Sequence, residues 1–97
     1  MDRETVLALW EAHKEARWPL LASQHEGPLM TLDTVISGCV VYFLDSHEGL
    51  DSQRLGIVKD CVADLDNLTD ELEEGCRPYF HRLRHLGALL INTHHTI

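Results

Sequence analysis

Seven histidines and three cysteines in 97 residues are the side chains most suited to metal binding, phosphotransfer or nucleophilic chemistry. His81 and His85 stand four apart, the spacing at which two imidazoles on one helix face hold one ion. Metal centres inside helical bundles add carboxylates through Glu-x-x-His pairs, and the chain contains no such pair. The apolar stripe of that segment, Leu83, Leu86 and Leu90, also directs both histidines to the opposite side. No metal and no cofactor is therefore expected.

A basic-flanked, exposed histidine also suits phosphotransfer. Bacterial histidine phosphotransfer bundles follow their histidine with lysine and glycine at the third and fourth positions, whereas "HRLRH" offers Arg84 and His85. The match is too poor to be a family resemblance. A histidine phosphotransfer-like or small-ligand-binding bundle remains the alternative expectation. Cys39, Cys61 and Cys76 are odd in number, widely spaced and not in CxxC form, which argues against a zinc ribbon or disulfide framework and for a reduced, cytoplasmic protein. Nucleophile, phosphate-binding and dinucleotide motifs are missing from the chain, so an enzyme is not expected.

His13 and Arg17 fall on the apolar face of the first segment, and Asp33 lies within the apolar arc of the second. Pairing about a turn near residue 26 sets residue 17 opposite 36 and residue 20 opposite 33, so Arg17 is expected either to reach Asp33 as an internal ion pair or to share a partly exposed edge with it. An unpaired buried charge would be costly. With Trp18, His13 and Arg17 alternatively line a small-anion site.

These residues are positioned by four helical stretches. Val6, Leu9, Trp10, His13, Arg17 and Leu20 repeat at about 100° per residue; Asp2 can cap this helix, and Pro19 is expected to kink it, with "PLLASQ" adding a turn or two. The second runs from about Pro28 to Asp45, with Leu29, Leu32, Val35, Ile36, Cys39, Val40, Phe43 and Leu44 in helical register despite the strand-like "CVVYFL". The third runs from about Asp51, an N-cap flanked by a Leu50–Leu55 staple, to Glu74. The fourth starts near Pro78 and is expected to fray at "NTHHTI". The repeated "HEG" at 25–27 and 47–49 reads as helix punctuation, glycine closing each preceding helix. Short turns make the four neighbours antiparallel. The expected fold is one all-α domain over 1–97, an up-down-up-down bundle.

Sixteen acids against eight Lys and Arg give a formal charge of −8, which argues against nucleic-acid or anionic-membrane partners. "MDRET" puts acids where a secretory signal needs cations, and the apolar run Val35–Leu44 is too short to span a bilayer. Between Asp60 and Glu74 there are seven acids and no Lys or Arg. About a turn at Gly75, Asp66 faces Arg84 and Glu73 faces Arg77. Asp60, Asp64, Asp70, Glu71 and Glu74 form an acidic outer surface suited to a basic partner protein. Met30, Val41 and Leu44 lie beyond what two neighbouring helices cover, which points to a homodimer. A small protein-interaction module (regulator, adaptor or inhibitor) is the reading that follows.

Overall fold

The computed structural model describes residues 2–19, 26–46, 49–72 and 74–94. Among them every regular element is a helix: α1 (Asp2–Glu15), α2 (Glu26–Asp45), α3 (Ser52–Thr69), a 3-10 turn at Glu74–Cys76 and α4 (Arg77–His94). The segment "CVVYFL" is helical, because the i, i+3, i+4 spacing before it continues through Val40 and Phe43, both buried. The four helices pack against each other, and α4 touches all three others. Val6, Leu29, Ile36, Val40, Val58, Leu65, Phe80, Leu83, Leu86 and Leu90 are fully buried. Each contributes roughly 1.5–3 kcal/mol of apolar burial, set against the entropy of ordering the chain.

The helix ends carry the local chemistry. Asp51 accepts a hydrogen bond from the Arg54 backbone N–H at 2.7 Å and caps α3, while Leu50 and Leu55 are both buried across it. This bond to the backbone holds the Asp51 carboxyl below its usual range. Gly49 has the expected positive φ, +80°, but α2 already ends at Asp45, so this glycine does not close it; His47 and Glu48 lie outside the described residues. In the first "HEG", Glu26 and Gly27 begin α2 instead of closing a helix, and there a carboxylate suits the positive end of the helix dipole.

Two helices are shorter than their stripes suggest. α1 stops at Glu15 and does not kink through Pro19. Proline lacks the N–H that would bond the Glu15 carbonyl, its ring crowds that carbonyl, and it disfavours helical backbone at Trp18. The continuation through "PLLASQ" lies outside the described residues after Pro19. α3 stops at Thr69, five residues short of Glu74. Thr69 Oγ1 donates to the Leu65 carbonyl at 2.5 Å, Glu71 and Leu72 N–H groups bond the carbonyls of Leu68 and Thr69, and the following acids oppose the negative end of the dipole. α4 remains helical to His94, and residues 95–97, with part of the expected fraying, lie outside the described residues.

Contacts between elements fix the register. Arg3 donates to the carbonyls of Phe43 (3.2 Å), Leu44 and Ser46 (3.1 Å), covering the last carbonyls of α2 from the start of α1. Arg84 pairs with Asp66, as the charge pattern suggested; the expected Glu73–Arg77 pair lies outside the described residues, and Arg77 Nε donates to the Leu72 carbonyl at 3.3 Å. At Gly87 a Cβ would meet Val62 Cγ2 at 2.6 Å, so glycine lets α4 lie close to α3. Gly87→Ala is expected to lower stability by about 1–3 kcal/mol through overpacking, although alanine favours helix by about 1 kcal/mol. Gly56→Ala, where a Cβ meets nothing within 4 Å, should raise stability by about 0.5–1 kcal/mol. Urea unfolding of both variants checks this; equal gains would mean that Val62 moves aside freely.

Candidate functional site

α1, α2 and α4 converge on one polar cluster. His13 is 4% exposed and its Nε2 lies 2.9 Å from Asp33 Oδ1. Arg82 Nε donates to His13 Nδ1 at 3.4 Å, so Nδ1 accepts and Nε2 carries the proton that bonds the carboxylate. Tyr79 donates its hydroxyl to the same Asp33 oxygen at 3.1 Å. Burial, and then the Asp33 charge and bond, push the Tyr79 phenol far above its usual range. The Tyr79 ring centroid lies 4.5 Å from that of His13. Trp18 meets Tyr79 and Phe80 edge-on at 5.4 and 5.5 Å and donates Nε1–H to Glu26 at 3.3 Å, closing this end of the bundle.

The cluster brings His13 and Asp33 together but not Arg17. Arg17 is exposed in the irregular segment after α1 and forms no ion pair with Asp33. Because α1 ends at Glu15, residue 17 no longer follows the helical direction that would carry it inward. Tyr79 and Arg82, which complete the cluster, escaped sequence reasoning because they come from an element 46 and 69 residues away from their partners. The available signal was that a buried histidine and a half-buried carboxylate both require partners.

Chemically the cluster is satisfied: among the described residues no buried side-chain N or O lacks a hydrogen-bond partner. His81 and His85 are both exposed on α4. No group of three or more His, Cys, Asp or Glu placed to hold a metal occurs among the described residues. Cys39, Cys61 and Cys76 are free and buried, and desolvation raises the thiols of Cys39 and Cys61, which keeps them protonated and poor nucleophiles.

The outer surfaces differ in kind. Met30 and Val41 are 52% and 42% exposed, and Tyr42 adds 38% beside them, with Arg54 stacked 3.9 Å from its ring centroid. Leu44, expected on the same face, is half-buried and packs against the core. Between Pro28 and Leu44 the one charged residue is Asp33, and its carboxylate points to His13 and Tyr79. By length and composition α2 is long and apolar enough to cross a membrane, with a mean hydropathy of 1.5 over its most apolar window. Here six of its residues are buried in the core. Asp60, Asp64, Asp70, Glu71 and Glu74 are all exposed.

Substitutions separate the cluster from its surroundings. Arg17→Ala should change stability by no more than about 0.5 kcal/mol, as for an exposed side chain. Tyr79→Phe should cost about 1–3 kcal/mol by removing a hydrogen bond to a partly buried carboxylate. Thermal unfolding of the two variants reads both, and a large loss for Arg17→Ala with none for Tyr79→Phe would return Arg17 to the interior.

Comparison of the chain with protein-family models, with curated proteins and with solved structures returns no match.

Proposed function

We propose that this chain is a small, acidic, non-enzymatic protein-interaction module, an antiparallel up-down-up-down bundle of the reducing cytoplasm that pairs with a second copy through the outer face of α2. Support for the topology comes from contact pairs: Arg3 with the end of α2 and His13 with its beginning, Asp66 with Arg84, and Gly87 with Val62 and Val58. Three buried free thiols suit a reducing compartment.

One observation carries the functional reading. α2 turns its only mid-helix charge inward and leaves Met30 and Val41 outside, with no charged α2 residue on that face between Pro28 and Leu44. Large apolar side chains on an uncharged helix face mark a contact surface. The spacing allows an isologous contact: about a two-fold axis between Ser37 and Gly38, Thr34 meets the second copy's Val41 and the reverse. Small residues at the centre, including Gly38, whose Cβ position is open, allow two helices to approach closely.

Light scattering at micromolar concentration should then report about twice 11.0 kDa, and Val41→Glu should reduce it to one copy by placing a charge at the contact. A monomer in the unmutated protein, with no dependence on Val41, contradicts the pairing. Flotation of the protein with neutral phosphatidylcholine vesicles would instead assign the α2 face to a lipid surface.

A further inference from the structure

Between α2 and α3 lies an open groove of about 440 Å³, with Pro28, Thr31 and Leu32 on one wall and Asp64, Asn67 and Leu68 on the other. Its floor is apolar, with Leu32 buried and Leu68 half-buried. Its walls are electrically one-sided. α2 carries no Lys, Arg or His from Glu26 to Asp45, and α3 has no Lys or Arg after Lys59. Asp60, Asp64 and Asn67 recur at i, i+4 and i+7, which sets them along one edge of α3. All three are exposed, and neither aspartate forms an ion pair among the described residues. Arg54, at the start of α3, is held by Asp51 at 2.5 Å and stacked on Tyr42.

We infer that this groove receives an amphipathic helix from a different protein, its apolar stripe lying over Leu32 and Leu68 and its Lys or Arg side chains lying along Asp60 and Asp64. A groove between two helices accepts the side-chain ridge of a third, and an apolar helix stripe laid into such a groove is a common recognition mode. The unneutralised aspartates favour a cationic edge and disfavour an acidic one. A second copy of this chain does not supply that helix. Its one basic helix, α4, has Phe80, Leu83, Leu86 and Leu90 fully buried in its own core, so its apolar stripe is occupied. Neither Met30 nor Val41 lines the groove.

The test uses the whole chain and a fluorescein-labelled, helix-forming peptide with leucines at i, i+4, i+7 and i+11 and lysines beside the stripe. A scrambled peptide of the same composition and a version with glutamate for lysine serve as comparisons. Fluorescence anisotropy should show binding of the striped lysine peptide and binding weaker by roughly tenfold or more for both comparisons. Asp64→Lys and Thr31→Trp, which reverse the edge charge and fill the groove, should each weaken it about as much. Val41→Glu should leave peptide binding unchanged while abolishing pairing of copies, so the two surfaces fail or succeed separately. Equal binding of striped and scrambled peptides, no binding of either, or indifference to both groove variants would overturn the assignment.

Discussion

The carboxylate of Asp33 is the constraint on which this bundle is organised. An ionised group within the apolar arc of a helix is tolerated only with partners that replace water, and Asp33 takes one from α1 and one from α4: the His13 ring at 2.9 Å and the Tyr79 hydroxyl at 3.1 Å. Arg82 completes the arrangement by donating to the far ring nitrogen of His13, which fixes the tautomer that donates to Asp33. Three helices are thus tied at one point. α1 depends on it most, because Val6 is its one fully buried apolar residue and Leu9 and Trp10 are only half-buried. Its other attachment is again polar, the Arg3 guanidinium on the last carbonyls of α2.

Turning Asp33 inward also decides what α2 shows outside. A helix with its charge exposed would have one acidic and one apolar face, whereas α2 has core on one side and, from Pro28 to Leu44, a partly apolar surface with no charged residue of its own on the other. The same residue that anchors α1 therefore leaves no charge on the outer face of α2 between its terminal acids, Glu26 and Asp45. Five exposed acids lie elsewhere, on the outer edge of α3 and in the turn after it: Asp60, Asp64, Asp70, Glu71 and Glu74. The α2–α3 groove lies at the border of these surfaces and combines an apolar floor with one acidic edge.

Much of the fold was legible because helix stripes and caps are local. The Asp51 cap, the Leu50–Leu55 pair, the positive φ at Gly49 and the Asp66–Arg84 pairing about Gly75 follow from residues close in sequence or from one well-placed turn. The first hairpin was not legible to the same degree. Pro19 ends α1 at Glu15, and Glu26 and Gly27 join α2, so the α1–α2 contacts centre about three positions earlier than a turn at residue 26 implies. That shift exchanges Arg17 for His13 as the partner of Asp33. Tyr79 and Arg82 could not be placed from turn geometry at all, since α4 meets α1 and α2 only through tertiary packing.

A double-mutant cycle between His13 and Asp33 tests this organisation most directly. His13→Ala, Asp33→Ala and the double variant are unfolded in urea, and the coupling is read from the failure of the single losses to add. A bond between an inward carboxylate and the His13 ring predicts coupling of at least about 1 kcal/mol, the double variant losing less than the sum. Additivity within about 0.5 kcal/mol would mean that the two side chains act independently, that Asp33 faces water, and that the outer face of α2 does carry a charged residue of its own.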